Sequence, residues 1–176
     1  EPPIDPAALD LDAPVRANDA ALVPIRLTQA ADAPPLSDLT LVIDQNPAPV
    51  AAEYSFGPAL MPLDFEVRVR VNAYSDVRAI GTQAGGGKVM AGRFVKASGG
   101  CSAPAGKDMA TVEALMGQMR WKTAQQDGRQ IGTLMIRHPM FSGLQRDQVT
   151  LLNIPAMFID RLEVRQGDEL LFSMQA

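Results

Sequence analysis

One cysteine, one histidine and one tryptophan stand in 176 residues. A lone cysteine closes no disulfide within its own chain, and no His/Cys/Asp cluster has zinc-binding spacing. Aromatics make up only 5% of the residues, so Val, Leu, Ile, Ala and Met must fill most of the core. No apolar run reaches the ~18 residues a membrane-crossing helix needs, and no leader pattern is visible. No Lys/Arg-rich run is present, which argues against a nucleic-acid partner. The Gly-x-Ser-x-Gly nucleophile turn is absent. Gly85-Gly86-Gly87-Lys88 lacks the rest of a phosphate-binding loop and reads as a hairpin turn.

What is present points to an all-β chain. Fourteen Pro and fourteen Gly favour short elements joined by many turns. Hydrophobic content of 47% and charged content of 20% are those of an ordinary globular protein. Nine Met suit adaptable packing, with a soft-metal surface as the alternative. The net charge is −4 and is uneven: residues 1–40 carry seven acids against Arg16 and Arg26, which leaves the remainder near +1. Glu1-Pro2-Pro3 is not an initiator sequence and reads as the start of a processed chain.

Residues 1–20 read as an extended or partly helical N-terminal segment. Leu22–Leu27 is a strand candidate, and its Pro24 predicts an edge position. Leu39–Asp44 is a β-branched run. Phe65, Val67, Val69 and Val71 alternate with Glu66, Arg68 and Arg70, the period of a half-buried strand. Ser75–Ile80 and Lys88–Lys96 flank the glycine turn. Asp108 is a candidate cap for a short helix whose stripe is Met109, Val112, Leu115, Met116 and Met119. Gln118–Gln126 and Arg129–Arg137 form a hairpin about Asp127-Gly128. Leu151–Ile154 is a short strand candidate. A second hairpin runs from Phe158 to Met174 about Gln166-Gly167-Asp168.

The candidate site is Cys101, in Ser98-Gly99-Gly100-Cys101-Ser102-Ala103-Pro104-Ala105-Gly106. Its neighbours favour loops and exposure, so an exposed, reactive thiol is expected. A nearby cation would favour the thiolate, and Lys96 and Lys107 are close in sequence. The plain alternative is an incidental surface cysteine. His138, in Arg137-His138-Pro139-Met140, is a candidate base or, with Cys101 and Met140, a soft-metal ligand. A single histidine more often only packs or hydrogen-bonds. Asp64/Glu66 and Asp168/Glu169 read as solvated strand or turn residues.

Several motifs, in order, resemble a known family. Val23-Pro24-Ile25, Asp44-Gln45-Asn46-Pro47-Ala48-Pro49, the alternating strand to Val71, Val77-Arg78-Ala79 and Gly99-Gly100-Cys101 resemble SoxY, the substrate-carrying subunit of periplasmic sulfur oxidation. Arg137-His138-Pro139-Met140, Ser142-Gly143-Leu144, Arg146-Asp147, Ile154-Pro155-Ala156 and Phe158-Ile159 resemble its partner SoxZ. The whole looks like a fused SoxYZ-like carrier of the kind associated with quinoprotein dehydrogenase systems.

The resemblance implies two immunoglobulin-like β-sandwich units, 1–106 and 107–176, and the Asp108 pattern adds a short helical segment after the cysteine loop. The second unit would be incomplete at its C-terminus. It implies a periplasmic carrier rather than an enzyme, with no cofactor and no metal. Cys101 would bear a sulfur-containing group through a sulfur–sulfur bond, and Gly99 and Gly100 would give the arm its flexibility. Partners would be sulfur-oxidation or quinoprotein dehydrogenase-associated enzymes, with a homodimer through the second-half edge or Cys101 as a further expectation. SoxY ends in a Gly-Gly-Cys-Gly-Gly tail, whereas here Ser102-Ala103-Pro104 follows and the chain continues. A loop held at both ends reaches less far than a tail. The other classes left open are a β-sandwich interaction module and a Cu(I) binder.

Overall fold

A computed structural model describes residues 2–103, 114–126 and 128–176. The described chain is all-β, with eleven named strands: β1 (Asp10–Asp12), β2 (Val23–Thr28), β3 (Leu36–Ile43), β4 (Val50–Phe56), β5 (Asp64–Val69), β6 (Ser75–Gln83), β7 (Lys88–Val95), β8 (Met119–Gln126), β9 (Arg129–Ile136), β10 (Arg161–Gln166) and β11 (Glu169–Gln175). Among the described residues the only named helical element is the 3-10 turn Pro58–Leu60. The first part of the expected helix, 108–113, lies outside the described residues, and Ala114 and Leu115 just beyond it are helical. Met119, the last member of its stripe, instead opens β8. Among the described residues no helix is long and apolar enough to cross a membrane.

The chain forms two compact units. The first comprises 1–103 together with 160–176, and the second comprises 104–159. The expected division at 106/107 differs in the last 17 residues, which pack with the first half of the chain.

The first unit is a β-sandwich. One sheet has the order β10-β11-β4-β3-β6-β7 and the other β1-β2-β5, with antiparallel neighbours throughout. Leu39, Leu41, Ile43, Val77 and Ala79 of the large sheet are buried in one core with Leu11, Val23, Ile25 and Leu27 of the small one. Alternation along each strand puts these residues on a single face. β2 is the middle strand of its sheet, not the expected edge. Pro24 is tolerated because β1 pairs only with Arg26, Leu27 and Thr28, so it lies past the end of β1.

The large sheet is completed from the far end of the chain. β11 pairs with β4 in the register Phe172↔Phe56 to Gln175↔Glu53. Gly57 makes room for this strand: its N–H donates to the Leu171 carbonyl at 2.8 Å, and a Cβ there would collide with the Leu170 carbonyl. Phe172 then reaches Phe65 of β5 across the sandwich, with ring centroids 5.1 Å apart at 76°. Phe65 also meets Tyr54 at 5.2 Å and Phe56 at 5.8 Å, both edge-on. Four of the nine aromatic residues are thus spent on one cluster joining β4, β5 and β11. Edge-to-face pairs of this kind contribute about 0.5–1.5 kcal/mol each beyond their burial.

In the second unit the described strands are the hairpin β8–β9, in register from Met119↔Ile136 to Gln126↔Arg129. Every residue of β8 is exposed, including Met119 at 66% and Trp121 at 52%. The Trp121 ring covers Gly132 on the neighbouring strand. A knot of loops follows. Phe141 and Met157 exchange two backbone hydrogen bonds, and Leu151–Ile154 forms a single bridge, Arg146↔Asn153, instead of the expected strand. Among the described residues this unit holds no second sheet; the strands expected to supply one, β10 and β11, belong to the first unit.

Truncating Phe172 to Ala is expected to cost about 3 kcal/mol, the lower end for a packed aromatic, because Phe172 is only partly buried. Denaturant unfolding monitored by circular dichroism checks this. Removal of residues 160–176 should abolish the first unit's cooperative transition.

Candidate functional site

Cys101 lies six residues beyond β7, where the chain turns back over the end of β5. The platform for this turn is residues 70–72. The Asn46 side chain fixes it, donating from Nδ2 to the Arg70 carbonyl at 2.8 Å and accepting at Oδ1 from the Asn72 N–H at 2.8 Å. The Val71 N–H donates to the Ala20 carbonyl at 2.9 Å. The cysteine loop sits on this platform: the Gly99 N–H donates to the Asn72 carbonyl at 2.7 Å and the Gly100 N–H to the Val71 carbonyl at 3.2 Å. Ser102 closes the turn by donating from its N–H and its hydroxyl to the Gly99 carbonyl, both at 3.2 Å.

This geometry buries the thiol. Cys101 is 7% exposed, which corrects the expectation of an exposed side chain. Flanking Gly, Ser and Pro predict a loop, but they do not decide whether the loop stands out or folds back. Here backbone bonds to Val71 and Asn72 fold it back. The two glycines have packing tasks in this closed loop. Gly99 adopts φ 74°, a conformation favouring glycine, and a Cβ on Gly100 would collide with the carbonyls of Ala20 and Val71.

Arg70 is the residue that sequence reasoning passed over. It continues the outward-facing alternation of β5, a pattern that reads as solvated surface. Its Nη1 donates to the Gly100 carbonyl at 2.7 Å and to the Ala103 carbonyl at 3.4 Å, on either side of Cys101. Burial pushes the Cys101 thiol above its ordinary range, and the Arg70 charge pulls it part of the way back. A cation acting on the thiol is therefore Arg70. Lys107 lies outside the described residues.

His138 lies in the other compact unit. Its Nδ1 accepts the Met140 N–H at 3.1 Å, and burial lowers its pKa. The Met140 sulfur accepts the Ile159 N–H at 3.5 Å. Nearby motifs are likewise used locally. Gln145 Oε1 accepts from the Ser142 N–H and hydroxyl at 2.9 and 3.1 Å. Asp147 Oδ1 accepts from the Thr150 N–H and hydroxyl and from the Val149 N–H, which holds its carboxyl below the usual range. Among the described residues no group of three or more His, Cys, Asp or Glu side chains is placed to hold a metal ion.

The family described as sulfur oxidation protein SoxY matches residues 1–101, a stretch that ends on Cys101 itself. The family described as sulphur oxidation protein SoxZ matches residues 119–176, beginning at the first residue of β8. The chain belongs to the SoxY family and is a fused SoxYZ-like protein. No curated protein matches it. The SoxZ match includes β10 and β11, so two strands of the SoxZ-matching segment complete the sandwich of the SoxY-matching one.

Two outcomes are expected. Gly100→Ala should destabilise the first unit by about 1–3 kcal/mol and speed thiol labelling, because the loop must lift to clear two carbonyls. Gly99→Ala meets only the Ser102 hydroxyl, at an ordinary contact distance of 3.9 Å, and should cost only about 1 kcal/mol, for its positive φ. Unfolding curves and thiol-reagent kinetics on both variants separate the two effects. The pH profile of Cys101 alkylation should have its midpoint above the ~8.5 of an unperturbed thiol. Since the unfolded thiol loses its proton first, this group's contribution makes stability fall as pH rises past the unfolded value.

Proposed function

We propose that the chain is a non-catalytic periplasmic carrier. It holds a sulfur-containing group on Cys101 through a sulfur–sulfur bond and presents it to partner enzymes that do the chemistry. The observation that carries this reading is the SoxY match ending on the chain's one thiol, which is held by a dedicated platform beside a guanidinium. The SoxY and SoxZ families imply a carrier role in sulfur oxidation and partners from that process. Sulfur-oxidation or quinoprotein dehydrogenase-associated enzymes are the partners this reading names, and immunoglobulin-like is the sandwich type it assigns.

Transfer from a buried thiol needs the loop to open. The bonds that would break are those of Gly99 and Gly100 to the platform and those of Arg70 to the loop carbonyls. The backbone on both sides stays attached, so the excursion is short and a client active site must come to the loop.

Intact mass of the protein from its native compartment tests the reading. An adduct that reductant removes, and that Cys101→Ser lacks, is the expected result. A bare mass during growth on reduced sulfur compounds would overturn it. The burial of Cys101 and the exposed Met119 and Trp121 favour a second reading, an interaction module whose thiol stays unmodified. In that case Cys101→Ser would leave sulfur oxidation intact.

A further inference from the structure

The geometry points to Arg70 as a positioning residue for anionic cargo. It latches the loop over the bare thiol and pairs with the negative charge of the sulfur group once Cys101 is loaded. This rests on the carrier reading and requires a cargo that bears a negative charge.

Three observations lead here. First, both carbonyls that Arg70 binds belong to the cysteine loop, one just before Cys101 and one two residues after it. A guanidinium carries five N–H donors, and the two bonds to the loop come from Nη1 alone. Second, two other arginines on the same sandwich are neutralised by carboxylates: Arg26 lies 2.9 Å from Asp64, and Arg78 lies 2.7 Å from Asp44. Among the described residues Arg70 stands in no such ion pair, and the loop groups it contacts are neutral carbonyls. A half-buried cation facing neutral acceptors gains from an added anion. Third, Asn46 fixes the Arg70 backbone, so the residue's point of attachment stays at the platform when the loop moves. The planar fork suits the oxygens of a sulfonate better than an ammonium would.

The test compares two alkylating reagents on the full chain with a bare thiol, one anionic (iodoacetate) and one neutral (iodoacetamide). In both reactions the Cys101 thiolate forms a carbon–sulfur bond and iodide leaves with the bonding pair. The iodoacetate-to-iodoacetamide rate ratio therefore cancels the thiolate fraction and the frequency of loop opening. Arg70→Gln should lower this ratio by about threefold or more, the effect of one unit charge near contact in a water-like medium. Arg70→Lys, which keeps the charge and loses the fork, should keep the ratio. The iodoacetamide rate, corrected for thiolate fraction, should rise in both variants because the latch is loosened. An unchanged ratio in folded Arg70→Gln would overturn the proposal. Should that variant fail to fold, the native protein decides: its ratio should fall toward that of a small thiol as NaCl rises from about 0.02 to 1 M. A salt-independent ratio overturns the proposal as well. The assay needs no cargo, so a bare mass from the native compartment would sink the carrier reading without altering this ratio.

Discussion

The pairing of β11 with β4 is the constraint on which the rest of the molecule depends. Phe172 lies opposite Phe56, more than a hundred residues earlier, and packs on Phe65 of the opposing sheet. Without this hairpin, β4 would be the sheet edge, with a row of backbone groups and an aromatic cluster opened to water. Edges of that kind are templates for pairing with other chains. In this fusion the edge is covered from within, by a segment that matches a different family from the sheet it completes.

This pairing also sets the mechanics of the cysteine. Residues 104–159 are an excursion that leaves the first unit after Ala103 and returns at Asp160. Cys101 sits two residues before the point of departure. A terminal tail would expose its thiol with little to break. Here the loop forms two backbone bonds to the platform and receives two from Arg70. At a net ~1 kcal/mol for a typical intramolecular hydrogen bond, opening costs on the order of a few kcal/mol. The open state is then a minor population, on the order of 1% or less, which a client can draw on by binding it preferentially. Delivery on such a scheme is gated by the client rather than by the reach of the arm.

Local structure was legible in the sequence where period and turn chemistry were strong. The Phe65–Val71 alternation gave β5, the glycine turn gave β6 and β7, and Asp127-Gly128 and Gly167-Asp168 marked two hairpins. β4 was missed because Val50-Ala51-Ala52-Glu53 has weak strand propensity, and its place is set by neighbours on both sides. The destination of the last hairpin was missed for a different reason. Periodicity says which face of a strand is apolar and nothing about which distant strand it joins. The burial of Cys101 failed in the same way: the glycines were visible, but Ala20, Asn46 and Val71 decide where they lie. Arg70 was concealed within its own pattern, as one outward residue among several.

The site sets two terms against each other. Burial disfavours a charge on the sulfur, and Arg70 favours one. For the bare thiol, desolvation dominates, so the proton is retained and an adventitious electrophile meets a weak nucleophile. On the carrier reading, a group with a permanent negative charge cannot escape that penalty by taking up a proton. Two outcomes remain: the loaded group recruits the guanidinium, or it moves toward water. If it recruits Arg70, the anion is a stronger acceptor than the Gly100 and Ala103 carbonyls and draws the guanidinium from them. Loading would then weaken the latch that hid the thiol, and the loaded loop would open more readily than the bare one. The same arginine that protects the thiol would thus bias the loaded protein toward the state a client can bind, with no second switch required.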